Sequence, residues 1–260
     1  MIKQGDIMAR EARKRSNTGI YHAMLRGIDK RDIFLDDEDR DKFIENFIKA
    51  KEAGGFEVYG YCLMDNHVHM LLKEDEEIGT SIKRITVGYV SWHNNKYERT
   101  GHLFQNRYKS EPVETENYLI TVLRYIHQNP IKAKIVSKLE SYHWSSYQQY
   151  LLVYKGDSSF IDAELIKSYF KTIEDFISYM NAQNSDECLE YKPVRKYNDD
   201  TFKKIIYKKY NIDNLGNLSA EERNKIIKNI YNEIDISIRQ LSRILELGKT
   251  IIERAIKQDR

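Results

Sequence analysis

Apolar positions alternate with polar ones over Gly19 to Arg26, with His22, Met24 and Arg26 on one side and Tyr21, Ala23 and Leu25 on the other, which predicts a β-strand. From Asp36-Asp37 to about Ala53 the period becomes helical, with Phe43, Ile44, Phe47 and Ile48 on one stripe and Gly54-Gly55 as the stop. Phe56–Leu63 and His67–Lys73 are runs of aromatic and aliphatic residues split by Met64-Asp65-Asn66, so they read as adjacent antiparallel strands. Ile78–Tyr97 predicts a second helix whose stripe is Ile82, Ile85, Tyr89 and Trp92. Gly101–Val113 predicts a fourth strand that places Gln105, Arg107 and Lys109 on one face, with Pro112 at its end or edge. Glu114–Gln128 predicts a third helix with a core stripe of Leu119, Val122, Leu123 and Ile126, stopped by Asn129-Pro130.

The first six elements therefore run β-α-β-β-α-β, the order of a ferredoxin-like antiparallel sheet, with an additional helix after the last strand. The fold class expected is α+β, followed by an all-helical C-terminal region. In a ferredoxin-like sheet helices cover one face, which leaves the other free to carry a site. Three segments are expected: residues 1–150 as the main domain, 151–196 as an acidic connector, and 197–260 as a helical domain. The connector is expected because residues 151–190 carry three Lys against eight Asp and Glu, while 201–260 carry thirteen Lys and Arg against eight acids. The basic tail is thus the better polyanion candidate. Within it, Ile236–Lys257 has the spacing of a helix-turn-helix, which would put Lys249, Thr250 and Arg254 on the groove-facing side of the second helix. Glu246 sits where a turn glycine is common, so the turn is expected to shift toward Gly248.

Composition alters this picture little. A hydrophobic fraction of 41% and a charged fraction of 32% suit a water-soluble protein, and the net charge of +2 is uninformative by itself. Cys62 and Cys188 lack CxxC spacing, which argues against a zinc knuckle or a disulfide scaffold. The polar, basic N-terminal stretch has the pattern of neither a signal peptide nor a membrane anchor, so a cytoplasmic location is the default.

The candidate chemistry centres on His67-Val68-His69. Side chains two apart on a strand share a face, so His67 and His69 project together while Val68, Met70 and Leu72 project oppositely. Paired imidazoles make half of a divalent-metal site, or else two hydrogen-bonded structural histidines. On the third helix Tyr125 and Asn129 are one turn apart and off the core stripe. A phenol and a carboxamide so placed suit a nucleophile and a further metal ligand, although a packed aromatic is the simpler reading of Tyr125 taken alone.

The blocks CLMDNHVHMLL, GHLFQNRYKSEPV, LRYIHQNPIKAKIV and YHWSSY, in that order, resemble the IS200-like transposases, and among them the REP-associated tyrosine transposases, over about residues 15–150. These are HUH single-strand DNA endonucleases with one catalytic tyrosine. The resemblance implies that His67 and His69 bind Mg²⁺ or Mn²⁺, that Tyr125 is the nucleophile, and that Asn129 is a further metal ligand. It implies a 5′-phosphotyrosine intermediate on single-stranded, hairpin-forming DNA, in a monomer or a homodimer. Arg26, Arg107 and Lys109 would meet phosphate from the open sheet face. Two positions depart from the family pattern: Asp65 replaces a frequent proline, and Lys134 a frequent glycine. The competing expectation is a domesticated DNA-binding regulator that uses the tail on duplex DNA while the HUH site stands idle.

Overall fold

A computed structural model describes residues 13–105, 107–190, 199–210, 212, 218–233, 236 and 238–257. The chain divides into two compact units, Met1–Glu190 and Tyr191–Arg260. The first contains a four-stranded antiparallel sheet in the order β2-β3-β1-β4, which is the ferredoxin-like order. Its strands are β1 (Ile20–Arg26), β2 (Glu57–Met64), β3 (His67–Lys73) and β4 (Lys109–Pro112). The central strands β1 and β3 are buried on both sides, because helices lie on both faces.

On one face, α1 (Asp37–Gly54) and α2 (Ile78–Lys96) pack together, with Phe47 of α1 against Tyr61 of β2 at a ring separation of 6.0 Å. Helix α1 starts where expected, since Asp36 and Asp39 form a reciprocal capping box, and it ends at Gly55 in the left-handed region at φ 66°. On the opposite face, α3 (Glu116–Lys132) lies over β2 and β3, and α4 (Ser146–Tyr154) over β2. That face, expected to stand open, is therefore covered. The reason is visible at Gly60, where a Cβ would sit 2.5 Å from Leu123 Cδ1 and 3.3 Å from Ser146 Oγ. Glycine here lets the helix layer approach the sheet closely.

The segment expected as a connector is partly built into this unit. Helices α5 (Glu164–Tyr169) and α6 (Ile173–Asn181) contribute Ile166, Phe176 and Met180 to the same core as the sheet. Their acidic residues face outward while an apolar stripe faces in, so net charge alone was a poor guide. Residues 191–196, the end of the expected connector, lie outside the described residues, as do 197 and 198 at the start of the expected helical domain.

Two other expectations change. The fourth strand is limited to Lys109–Pro112, because residues 101–105 instead cross the end of β1, with Gln105 donating to Arg26 O at 2.7 Å and Ile28 to Leu103 O at 2.9 Å. Helix α3 runs through Pro130 to Lys132 rather than stopping at Asn129. Proline has no N–H for the Ile126 carbonyl, and the Asn129 carboxamide stands in, donating to Tyr125 O at 2.9 Å and to Ile126 O at 3.4 Å.

The second unit consists of α7 (Asp199–Tyr210), α8 (Ala220–Glu233), α9 (Ile238–Leu245) and α10 (Lys249–Lys257) around a core of Phe202, Ile206, Ile227, Ile230, Leu241, Ile244 and Ile252. The turn between α9 and α10 is not displaced to Gly248. Glu246 itself takes the left-handed conformation at φ 56°, and Ser242 closes the turn, its hydroxyl donating to Leu247 O at 2.6 Å. Among the described residues no helix is long and apolar enough to cross a membrane.

Candidate active site

Strand register builds the site. Arg26 pairs with His67, Met24 with both His69 and Lys109, and His22 with both Leu71 and Glu111. Directly paired residues share a face, so His67, His69, His22, Arg26, Lys109 and Glu111 all project from the side covered by α3. The two HUH imidazoles lie 5.0 Å apart between ring centroids, at 81° to each other.

His69 is fully buried and its Nδ1 lies 2.9 Å from His22 Nε2, while His22 Nδ1 lies 3.0 Å from Glu111 Oε1. That carboxylate oxygen also accepts from the Tyr118 hydroxyl and from the Leu189 backbone N–H, each at 2.9 Å. Burial alone would raise the Glu111 pKa, but these donors hold it below the ordinary carboxylate value. His69 Nε2 has no hydrogen-bond partner although it is buried. Burial pushes the pKa of His69 well below the usual imidazole value, with His22 and His67 adding to the effect. His67, whose Nδ1 is 2.7 Å from Asn66 Oδ1, is lowered to about 4 by burial and by the nearby Arg26 charge. Both imidazoles are therefore neutral near pH 7, the form that ligates a metal.

Helix α3 sets Tyr125 above this face, its ring 5.8 Å from His69 and 6.0 Å from His22. The side chain is only 3% exposed and is part of the hydrophobic core of this unit, with polar groups at the edge of the ring. Lys132 Nζ sits 4.4 Å from the ring centroid, and the hydroxyl donates to Glu190 Oε1. Burial, and then the Glu190 carboxylate, raise the phenol pKa above its ordinary value. The segment that brings Glu190 there is fastened to α3. Arg124 forks onto Asp186 at 2.8 and 3.0 Å, and Gln128 donates to Met180 O and Ala182 O.

Among the described residues, no cluster of three or more His, Cys, Asp and Glu side chains is placed to hold a metal ion. The donors that fit are the orphaned His69 Nε2 and the adjacent His67 ring, which make an incomplete, nitrogen-based half-site suited to Mn²⁺ more than to Mg²⁺. Asn129, one turn from Tyr125 and 6% exposed, commits its amide nitrogen to the Tyr125 and Ile126 carbonyls of its own helix.

Other expected site residues sit elsewhere. Arg107 is not on β4 and does not face the histidines, because the strand begins only at Lys109. It lines a separate cleft with Arg13, Tyr21, Glu77 and Tyr108. Lys249, Thr250 and Arg254 are exposed on α10, with Lys249 3.2 Å from Glu253. His22, Glu111 and Glu190 escaped the sequence reading. Period two already put His22 beside Arg26 and Glu111 beside Lys109, and the ferredoxin-like order sets β1 between β3 and β4, but no local spacing marked these side chains as partners of His69. Glu190, 65 positions from its partner, left no signal at all.

Residues 16–129 match the family model described as "Transposase IS200 like". No curated protein sequence matches the chain significantly. Among solved structures, one of a REP-associated tyrosine transposase bound to a REP hairpin is similar at 16% identity, with 59% of this chain and 90% of that chain covered and a TM-score of 0.49. A putative transposase from Deinococcus radiodurans R1 is similar at 17% identity, with 49% and 97% covered and a TM-score of 0.32.

Proposed function

From the membership of residues 16–129 in the IS200-like transposase family, we propose that this chain is a metal-dependent strand transferase for single-stranded, hairpin-forming DNA, with Tyr125 as its nucleophile. The observation that carries the reading is the convergence of His67, His69 and Tyr125, which come from two separate elements, with the His69 ring 5.0 Å from that of His67 and 5.8 Å from that of Tyr125.

Held by His67 and His69, with Asn129 Oδ1 as a third donor, Mg²⁺ or Mn²⁺ would offset charge on the non-bridging phosphate oxygens. The rest of the chemistry falls to the chain. Tyr125 Oη attacks phosphorus, the P–O3′ bond breaks, and the phenol becomes a 5′-phosphotyrosine beside a free 3′-hydroxyl. The bond energy is retained, so the hydroxyl of another strand can reverse the step without ATP. Arg26 and Lys109, on the same sheet face, meet the phosphates that flank the reacting one. The exposed Lys249, Thr250 and Arg254 of α10 are proposed to contact duplex DNA.

One observation favours a second reading, a DNA-binding regulator with an idle site: Tyr125 is 3% exposed and its hydroxyl is closed off by Glu190. A labelled hairpin oligonucleotide incubated with Mn²⁺ separates the two. The transferase reading expects a denaturation-resistant protein–DNA adduct that Tyr125→Phe abolishes. A regulator binds duplex DNA without metal and yields no adduct.

A further inference from the structure

The chain Glu111–His22–His69 runs from a partly exposed carboxylate to a fully buried imidazole, and its chemistry is directional. Glu111 Oε1 is the meeting point of three donors, the Tyr118 hydroxyl, the Leu189 N–H and the ring of His22. An ionised carboxylate only accepts hydrogen bonds, so His22 must present Nδ1–H to it. Carrying that single proton, His22 would face its neighbour with Nε2 as an acceptor. The atom it faces at 2.9 Å, His69 Nδ1, would then carry a proton. That leaves His69 Nε2 as a bare lone pair, and this is the buried atom that has no partner.

We propose that Glu111 and His22 are positioning residues that act through His69. They lock it in the Nδ1–H tautomer and turn its Nε2 lone pair toward the divalent ion. The inference deepens the function proposed above and rests on its assignment of His69 as a ligand. The relay gives a physical reason for burying two histidines beside a partly exposed carboxylate on a sheet face where aliphatic residues would pack more simply. It also makes the ligand set a product of sheet order, because only β1 lying between β3 and β4 joins His69 to Glu111. Tyr118 and Leu189 donate to the same Glu111 oxygen that meets His22, so residues outside the ligand set tune it.

The test uses the full chain with ¹⁵N-labelled histidine, together with Mn²⁺ titration followed by the electron spin resonance of the free ion. In the metal-free protein, long-range ¹H–¹⁵N spectra are expected to show His69 protonated at Nδ1 alone. Glu111→Gln is nearly isosteric but offers a carboxamide that can donate as well as accept. It is expected to spread His69 over both tautomers and to weaken Mn²⁺ binding by about 10- to 100-fold while the fold persists. A His69 protonated at Nε2 in the wild-type protein would overturn the inference, as would unchanged Mn²⁺ affinity in Glu111→Gln. If the wild-type protein binds no Mn²⁺, the metal reading of the site fails and the inference with it. Wild-type binding that Glu111→Gln leaves intact sinks the relay alone.

Discussion

Gly60 is the point where sheet geometry sets the position of the proposed nucleophile, and replacing it with alanine tests that dependence. The added Cβ would lie 2.5 Å from Leu123 Cδ1 and 3.3 Å from Ser146 Oγ. Carbon atoms in contact prefer roughly 3.5–4.0 Å, so about 1 Å must open between β2 and α3. Leu123 is fully buried and has little room to rotate away, and Ser146 is tied to Tyr61 N at 2.9 Å and to His127 Nε2 at 2.8 Å. Overpacking of this kind costs about 1–3 kcal/mol. Leu123 precedes Tyr125 by two positions on the same helix, so a shift of α3 moves the phenol relative to His69. A displacement of about 1 Å in a reacting group lowers a rate by roughly 100-fold. Urea denaturation and adduct formation with a hairpin substrate are the two readouts. Adding Leu123→Ala removes the clashing methyl, so the double variant should be more stable than the sum of the two single effects by about 1 kcal/mol or more. If Gly60→Ala matches wild type in stability and in adduct rate, the close approach does not position Tyr125 and the reasoning fails.

Lys134 occupies the left-handed region at φ 60°, where a glycine is frequent in the family, so Lys134→Gly should raise stability by about 1 kcal/mol in thermal denaturation. A loss of stability would show that the lysine side chain matters more than its backbone strain. His127 is buried and its pKa is pushed down to about 3, so the native state stays neutral where the unfolded chain takes up a proton. Stability must therefore fall as pH drops below the usual imidazole range, by about 1.4 kcal/mol per pH unit for this group. Denaturation of His127→Gln at pH 6 and pH 5 should show a slope shallower by that amount, and an identical slope would contradict the assignment. Glu190→Gln removes the carboxylate that holds the Tyr125 proton, so alkaline titration, read as the difference from a Tyr125→Phe background, should place this phenol below its wild-type pKa. No change would mean that burial alone sets it.

Much of the site could be read from the sequence because it depends on period. Alternation along β3 put His67 and His69 together, and the helical repeat put Asn129 one turn beyond Tyr125. The order of the sheet followed from the order of the elements. What escaped depends on tertiary partners. The Asn129 carboxamide takes over part of the hydrogen bonding that Pro130 removes, so a helix-stopping dipeptide lies inside a helix. Arg107 left the site because residues 101–105 cross β1 rather than extend β4. The face expected to stand open is covered because Gly60 admits α3, and one glycine in an apolar strand does not say which element will approach it. The acidic composition of residues 151–190 hid the apolar stripe of Phe176 and Met180 that packs beneath it. The second unit departs for a local reason, since Glu246 itself takes the left-handed turn that glycine was expected to provide.

Peptide mapping of a trapped covalent complex tests the central claim most directly. After reaction of the full chain with a hairpin oligonucleotide and Mn²⁺, protease and nuclease digestion should leave a nucleotide mass on the peptide containing Tyr125, joined through its phenolic oxygen to a 5′-phosphate. A nucleotide on Tyr118 or another residue, or cleaved DNA with no protein-linked species, would contradict the account.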